Sequence, residues 1–456
     1  MGDQPAQQRR SQLLRHWRYL AGRKLDDVRM ALFPGRLHDT AHNARNLEIE
    51  VFWAAILAGA VNFNAAFALR LGASNAEIGY LSSIPALLAL LITIPVGQLL
   101  GRMARRMPWM VWSLFLYRLG YLLVVFVPFL PIPAKGTVLV WLLIAFTAPA
   151  QVFGVAWTAM LADVIPETMR VRVFAVRNIL VAVAATAAIF LAGRWLENAP
   201  YPTNYQVMYF IGFAASMVSI YYIARMKVPD STMPAGGARP VGLRSLWLAW
   251  KEALAHEPDF VRLIGNTLAH GAGLWMIGPL YVLYFVKTLG ATEGWLGLNG
   301  TLGNLTPVIG YMLWQRAIMR WGDNRVLKWT ISFVGVYPII VGMTHGLAPI
   351  LALTALYGLL APGTNLAHFD MLLKICPPAD RPLYVGIYTT IMNIGAFIMP
   401  FVGIALANRF GFAPVLIAGG VMCLVGSSLF RWRPLRTADS LTARRALAMD
   451  ATPQEA

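Results

Sequence analysis

Leu71-Gly72-Ala73-Ser74-Asn75-Ala76-Glu77-Ile78-Gly79 is written a second time, 218 positions later, as Leu289-Gly290-Ala291-Thr292-Glu293-Gly294-Trp295-Leu296-Gly297. The same offset carries Arg102 onto Arg320 and Ala104 onto Gly322. A second echo lies downstream, where Pro166 and Arg170 recur as Pro377 and Arg381 at an offset of 211. Two related halves in parallel order, each about two hundred residues long, are the pattern of a duplicated membrane transporter.

Composition agrees with that reading. The chain has 456 residues, of which 58% are hydrophobic and only 13% charged, which argues against a soluble protein. A helix needs about 20 mostly apolar residues to cross roughly 30 Å of hydrocarbon. That ruler places spans at 48–69, 76–100, 108–130, 137–162, 172–193 and 205–226. The second half gives 262–286, 293–315, 325–345, 348–373, 383–407 and 411–430. The predicted fold is therefore all-α and integral to the membrane, with twelve transmembrane helices in two six-helix bundles, 47–226 and 262–432. A basic N-tail (1–46), a polar linker (227–261) and a C-tail (433–456) complete the chain. Within the tail, Leu13, Leu14, Trp17, Leu20 and Ala21 at helical spacing suit a helix lying on the membrane surface, beside the reading of a disordered tail. Leu243, Leu246, Trp247, Trp250 and Leu254 give the linker an interfacial helix.

The net charge of +17 raises the question of a nucleic-acid partner, and the placement of the charges answers it. With the N-terminus inside, 32 of the 38 lysines and arginines fall in the tails and inner connections. The outer connections hold only Arg70, Lys135, Arg194, Lys287 and Arg409, and Arg118 alone falls near the middle of a span, basic residues at the inner ends of spans being counted with the adjoining connection. Such asymmetry is the positive-inside pattern, which puts both termini in the cytoplasm and makes a bacterial inner membrane, or a plasma membrane, the expected location. The basic charge then reports topology and attraction to anionic membrane lipids, not nucleic acid. Two cysteines, Cys376 and Cys423, give neither a disulfide framework nor a metal spacing. The first 46 residues lack the apolar core of a cleaved signal peptide, so the first span itself is expected to direct insertion.

Between spans 2 and 3 the chain reads Gly97-Gln98-Leu99-Leu100-Gly101-Arg102-Met103-Ala104-Arg105-Arg106. Here it resembles the major facilitator superfamily, whose corresponding loop reads G-x-x-x-D-R-x-G-R-[RK]. Gly97, Arg102, Arg105 and Arg106 match, while Gly101 stands in place of Asp and Ala104 in place of Gly. Asp163-x-x-Pro166-x-x-x-Arg170 resembles the family's loop between spans 4 and 5, with Pro377-x-x-x-Arg381 as its echo. The resemblance covers about residues 45–432 and implies two bundles rocking around a midplane cavity. It also implies an inner latch, which with Gly101 is either weak or draws its carboxylate from Asp163.

Polar residues within the spans are the candidate site, because each needs a partner in hydrocarbon. Asn62 and Asn64 lie in span 1, where pairing with a neighbouring helix and contact with substrate are both open. Pro149 and Pro362, at an offset of 213, interrupt spans 4 and 10, and paired breaks in the two halves point to a central site. Gln151, Asn365 and His368 lie beside those prolines, with Phe153, Trp157 and Phe369 as aromatic walls. His270 falls at mid-depth in span 7, as a core histidine or a proton carrier. Arg118 lies near the midplane, either in the cavity or in an ion pair with Glu48, Glu50 or Asp163. Asp370 precedes Lys374 by one turn, as an ion pair or, with His368, as a proton-exchanging group. Asn299, Asn304 and Asn393 add polar groups to spans 8 and 11. No G-x-x-x-x-G-K-[ST] loop, H-E-x-x-H or G-x-S-x-G occurs, so neither direct ATP drive nor an intramembrane enzyme is indicated. The expectation is a secondary active or facilitative transporter of a small organic solute, with protons or another ion as coupling partner, no cofactor, and a monomeric working unit. The competing expectation is a transporter-like scaffold without flux.

Overall fold

A bilayer offers the backbone no water, so each N–H and C=O must find its partner within the segment, and helices are what such a chain forms. The computed structural model describes residues 36–101, 103, 105–164, 167–228, 243–377 and 381–432. The helices are α1 (Arg36–Val61), α2 (Asn64–Arg70), α3 (Asn75–Gly101), α4 (Met107–Val124), α5 (Lys135–Val164), α6 (Glu167–Asn198) and α7 (Thr203–Ala224). After the linker come α8 (Leu243–His256), α9 (Pro258–Ile277), α10 (Leu280–Leu283), α11 (Glu293–Trp321), α12 (Asp323–Met343), α13 (Leu347–Ile375), α14 (Arg381–Phe410) and α15 (Phe412–Trp432). With α1/α2 and α9/α10 each counted as one crossing, these make twelve spans.

Eleven of the crossings are long and apolar enough to span a membrane on composition alone. The twelfth is α11, a 29-residue helix in which Asn299, Thr301, Asn304, Thr306 and five glycines dilute the apolar residues. A helix that polar belongs inside a bundle rather than against lipid. The first helix begins at Arg36, earlier than hydropathy predicts, because polar partners hold its start: the Asn43 side chain exchanges two 2.8 Å hydrogen bonds with the Lys227 backbone. The tail segment around Trp17 lies outside the described residues.

The repeated stretch encodes a turn. Gly72 and Gly290 both take positive φ, +90° and +67°, which an L side chain adopts only with strain. Two residues on, Ser74 and Thr292 cap the helices that follow, accepting from Glu77 N–H at 3.3 Å and Trp295 N–H at 3.2 Å. Glu77 closes a capping box by accepting from Ser74 N–H at 2.7 Å.

Duplication shows in the packing. In the first half α1 packs on α6 and α7, α4 on α5 and α7, and α3 on α5; in the second, α9 packs on α14 and α15, α12 on α13 and α15, and α11 on α13. The halves meet through two symmetry-related pairs, α6 with α11 and α3 with α14. At the first, Gly193 and Gly297 touch backbone to backbone; a Cβ on Gly297 would fall 2.7 Å from Gly193 Cα. Gly297→Val should therefore push the halves apart and cost about 1–3 kcal/mol, read as a lower unfolding temperature in detergent. Gly265→Ala, where a Cβ has nothing within 4 Å, should leave that temperature unchanged or raise it.

Candidate functional site

Two of the crossings are broken, and they are equivalent ones. The first crossing turns at Asn62 and Phe63 between α1 and α2; the seventh turns at Gly278 and Pro279 between α9 and α10, then ends in a π-turn over Tyr284–Thr288. From Asn62 to Gly278 is 216 positions, close to the repeat offset. The prolines of the fourth and tenth crossings do not break their helices: Pro149 lies inside an unbroken α5 and Pro362 inside an unbroken α13. The paired interruptions expected there belong instead to the first and seventh crossings. Only one of these carries a proline, which is why the prolines mislead.

Between the breaks lies a cavity of about 410 Å³. The first half lends Asn62 and Ala66; the second lends Leu274, Gly278, Tyr281, Val282, Phe285, Leu296, Asn299, Tyr337 and Tyr357. Its polar groups are two amides and three phenols, and no charged residue is among the lining. The tyrosines form a continuous wall, with centroids 5.7 Å apart for Tyr281 and Tyr337 and 4.5 Å for Tyr337 and Tyr357. Thr354 fixes two of the polar groups: its Oγ1 donates to Asn299 Oδ1 at 2.7 Å and lies 3.2 Å from Tyr337 Oη. Asn62 sits against Gly300 of α11, its amide within 3.0 Å of where a Cβ on that glycine would be. It has no side-chain hydrogen bond to the described residues.

The cavity is shut at the end of the bundle away from the chain termini. There Arg70 Nε meets Glu293 Oε1 at 2.5 Å, Tyr205 Oη donates to the same oxygen at 3.3 Å, and Thr292 Oγ1 donates to Glu197 at 3.2 Å. Asn75 receives Lys287 Nζ at 2.6 Å and donates to Asn408 at 2.8 Å. These five contacts all join the two halves at this far end. Toward the terminal end Leu91 and Leu99 of α3 are 59% and 49% exposed. A groove of about 530 Å³ opens there between α3 and α5, lined by Thr93, Gln151, Gly154, Val155 and Thr158.

The first half holds a buried charge cluster. Glu50 of α1 is 2% exposed and pairs with Arg177 of α6 at 3.2 Å. Its other oxygen accepts from Ser219 of α7 at 3.0 Å, and Ser219 Oγ accepts from Arg118 of α4 at 3.1 Å. Arg118 also donates to the Ser216 carbonyl, and Arg177 lies over the Trp157 ring of α5, 5.1 Å from its centroid. Arg118, Glu50 and Trp157 thus belong to one network that ties five helices together.

The remaining sequence-predicted residues scatter. Asn64 accepts from Tyr209 Oη at 2.9 Å. His270 is buried between α9 and α15, His368 lies 2.7 Å from Thr267 Oγ1, and Asn365 is exposed on α13. Asp370 pairs with Lys374 at 2.9 Å, and Lys374 reaches Asp323 at 3.0 Å. Arg106 donates to the Leu100 carbonyl at 3.0 Å, while Arg105 and Arg381 are exposed at the terminal end. Arg102 and the side chains of Asp163 and Arg170 lie outside the described residues. Sequence reasoning named Asn62 and Asn299 but missed the tyrosine wall, whose members come from three helices with no local motif, and missed Arg177.

A duplicated twelve-helix bundle closed at one end over a midplane cavity is the architecture of a membrane transporter. The sequence profile of the Major Facilitator Superfamily matches residues 51–260 and 263–453, and the chain belongs to that family, whose members are transporters of small molecules rather than enzymes. Among solved structures it is similar to the nucleoside transporter NupG, with a TM-score of 0.63 and 12% identity over 85% of this chain and 99% of that one. It is similar to a bacterial homologue of the human lysosomal transporter Spinster in an inward-facing conformation (TM-score 0.64, 11% identity, 87% and 96% covered). It is also similar to a D-xylose-proton symporter (TM-score 0.63, 14% identity, 89% and 99% covered). No curated protein matches it in sequence.

Removing one member of a buried charge network strands the others. Glu50→Leu should cost about 3–5 kcal/mol by leaving Arg118 and Arg177 without their carboxylate, measured as thermal unfolding of the purified protein. A loss below about 1 kcal/mol would show that water already solvates the cluster.

Proposed function

We propose that the chain is a secondary transporter that carries a neutral, polar, ring-bearing solute by alternating access, and that it stands here in its inward-facing state. The observation that carries the reading is the cavity at the paired breaks. Five hydrogen-bonding side chains line it and no charge does, so a charged solute would lose its hydration without a counter-ion, whereas hydroxyl, amide or ring-nitrogen groups find partners. Tyrosine faces suit flat rings or the apolar face of a sugar ring.

Orientation follows from charge. Lysines and arginines crowd the terminal end, so that end is cytoplasmic, and the far end, latched by Arg70 and Glu293, faces outward. The linker, including α8, lies on the cytoplasmic side, and each bundle moves as a unit with the monomer as the working form. Arg105, Arg106 and Arg381 lie at the cytoplasmic end, where an inner latch would form once the halves rock the other way.

Two measurements test this. In a thermal-shift panel, neutral sugars and nucleosides should stabilise the wild type, by about 2.7 kcal/mol at a hundredfold excess over Kd, while carboxylates and amines should not. Asn62→Ala and Tyr337→Ala should abolish the shift; a shift undiminished in both would move the site elsewhere. For the gate, a cysteine placed in the cavity by Val282→Cys should be shielded from an impermeant thiol reagent applied at the outer face. Adding Glu293→Gln should raise its labelling about fivefold, since a half-exposed ion pair contributes about 1 kcal/mol. Equal labelling from both faces, with or without Glu293, would sink alternating access.

A further inference from the structure

Seven helical threonines, Thr301 and Thr306 of α11 among them, donate their hydroxyl to the carbonyl four residues back in their own helix. Thr354 of α13 does otherwise. It is 6% exposed, lies behind the lining of the central cavity, and donates across to Asn299 Oδ1 on α11 at 2.7 Å. Its methyl is seated too: a Cβ on Gly303, one turn beyond Asn299, would fall 3.8 Å from Thr354 Cγ2. A β-branched side chain with its hydroxyl on one turn of α11 and its methyl on the next is held to one rotamer.

A hydroxyl has one hydrogen, and this one is committed to Asn299. Tyr337 Oη, 3.2 Å from the same Oγ1, is therefore the donor in that contact. The three groups form a directed chain, from the Tyr337 O–H to the Thr354 O–H to the Asn299 side-chain carbonyl. Asn299 and Tyr337, its two ends, both line the cavity. At one end Asn299 has turned its oxygen to Thr354 and presents Nδ2 hydrogens. At the other, Tyr337 has given its hydrogen to Thr354 and presents only lone pairs. Each end has thus lost one of the two roles that its side chain has on its own. Asn62, also in the lining, keeps both.

We propose that Thr354 sets the hydrogen-bond polarity of the cavity, so that the preferred solute carries an acceptor beside a donor on a flat ring, the edge of a cyclic amide. The ring carbonyl accepts from Asn299 Nδ2–H, the adjacent ring N–H donates to Tyr337 Oη, and the ring face lies along the tyrosine wall. Both ends of the chain are within 3.2 Å of one hydroxyl oxygen, which suits them to two neighbouring ring atoms. A sugar hydroxyl turns its hydrogen to suit either end and gains nothing from a fixed polarity. A ring amide cannot turn, and a site built to pair with its N–H rejects the analogue that lacks it. This rests on the reading of the cavity as the transport site and narrows its solute class. Thr354 itself touches no solute; it is a positioning residue.

The probes are carbostyril, a flat bicyclic lactam, and its N-methyl derivative, which share ring and carbonyl and differ in the N–H. Binding is measured by titrating each against the thermal unfolding of the full-length protein in detergent. The wild type should bind the N–H compound about tenfold more tightly, since methylation leaves the Tyr337 lone pairs unmet. Thr354→Val keeps nearly the same shape but releases both ends of the chain, and the preference should shrink to about twofold. Thr354→Ser, which returns the hydroxyl, should restore it. Tyr337→Phe, which removes the accepting oxygen and leaves Thr354 on Asn299, should lose it as Thr354→Val does. Equal binding of the two compounds by the wild type, a preference for the methylated one, or binding of neither overturns the proposal. So does a preference undiminished in Thr354→Val or in Tyr337→Phe. The reading of the cavity as the transport site is judged separately, by whether neutral sugars stabilise the wild type and not Asn62→Ala.

Discussion

The backbone contact between Gly193 of α6 and Gly297 of α11 is the constraint on which the remainder of the arrangement depends. Neither helix carries a Cβ at this point, which lets the two halves meet backbone to backbone at the far end. Around it gather the Arg70–Glu293 pair, Tyr205, and the Asn75 bridge to Lys287 and Asn408. Because the strong contacts between the halves sit at one end, the two bundles meet like the arms of a V. Nothing in this arrangement requires either bundle to change internally.

A rocking mechanism needs each arm to hold its shape, and the two arms do so by different means. In the first, Glu50, Arg118, Arg177 and Ser219 draw α1, α4, α6 and α7 into one network, with Trp157 of α5 under the Arg177 guanidinium. Replacing such a network with apolar packing often raises stability, so its value lies in allowing one arrangement of the five helices and penalising others. In the second arm the buried ties are neutral, with Ser427 and His270 on the Cys423 carbonyl and Thr354 on Asn299 and beside Tyr337, while the Lys374–Asp323 ion pair is partly exposed. Each arm also holds buried polar atoms without a partner among the described residues: Arg177 Nε and Thr186 Oγ1 in the first, and Asn266 Nδ2, His270 Nε2 and Thr364 Oγ1 in the second. Duplication therefore preserved the packing diagram while the chemistry inside each copy diverged.

Much of this was legible in the sequence, and the reasons differ by feature. Gly72 and Gly290 recur because both turns need positive φ, and Ser74 and Thr292 recur because both helices need a cap, so local backbone demands wrote the echo that betrays the fold. Most span boundaries lie within about six residues of those expected from hydropathy, whereas α1 starts far earlier, held by a hydrogen bond to Lys227, 184 residues away. The prolines pointed to the wrong crossings because a helix can absorb a proline when its neighbours pack around it, as Pro362 does against Gly310, while Asn62 and Phe63 turn the chain without one. The tyrosine wall was illegible for another reason: Tyr281, Tyr337 and Tyr357 become neighbours only when α10, α12 and α13 are assembled.

The lining of the cavity is unequal, and that inequality has a mechanical meaning. Nine of its eleven residues come from the second half, and of the first half's two only Asn62 is polar. A solute would rest on the tyrosines and Asn299 and touch the first half through one amide, placed where the first crossing turns. Under the proposed alternating access, binding energy from the second half would be nearly the same in both states and would set affinity. Under the same proposed mechanism the Asn62 contact would change as the arms rock, so it is the one able to favour one state over the other, since a ligand shifts an equilibrium only by its differential interaction. The neutral lining follows from the same logic: a charge held tightly by one arm would have to be desolvated again at each exchange, whereas a single amide hydrogen bond is weak enough to break every cycle.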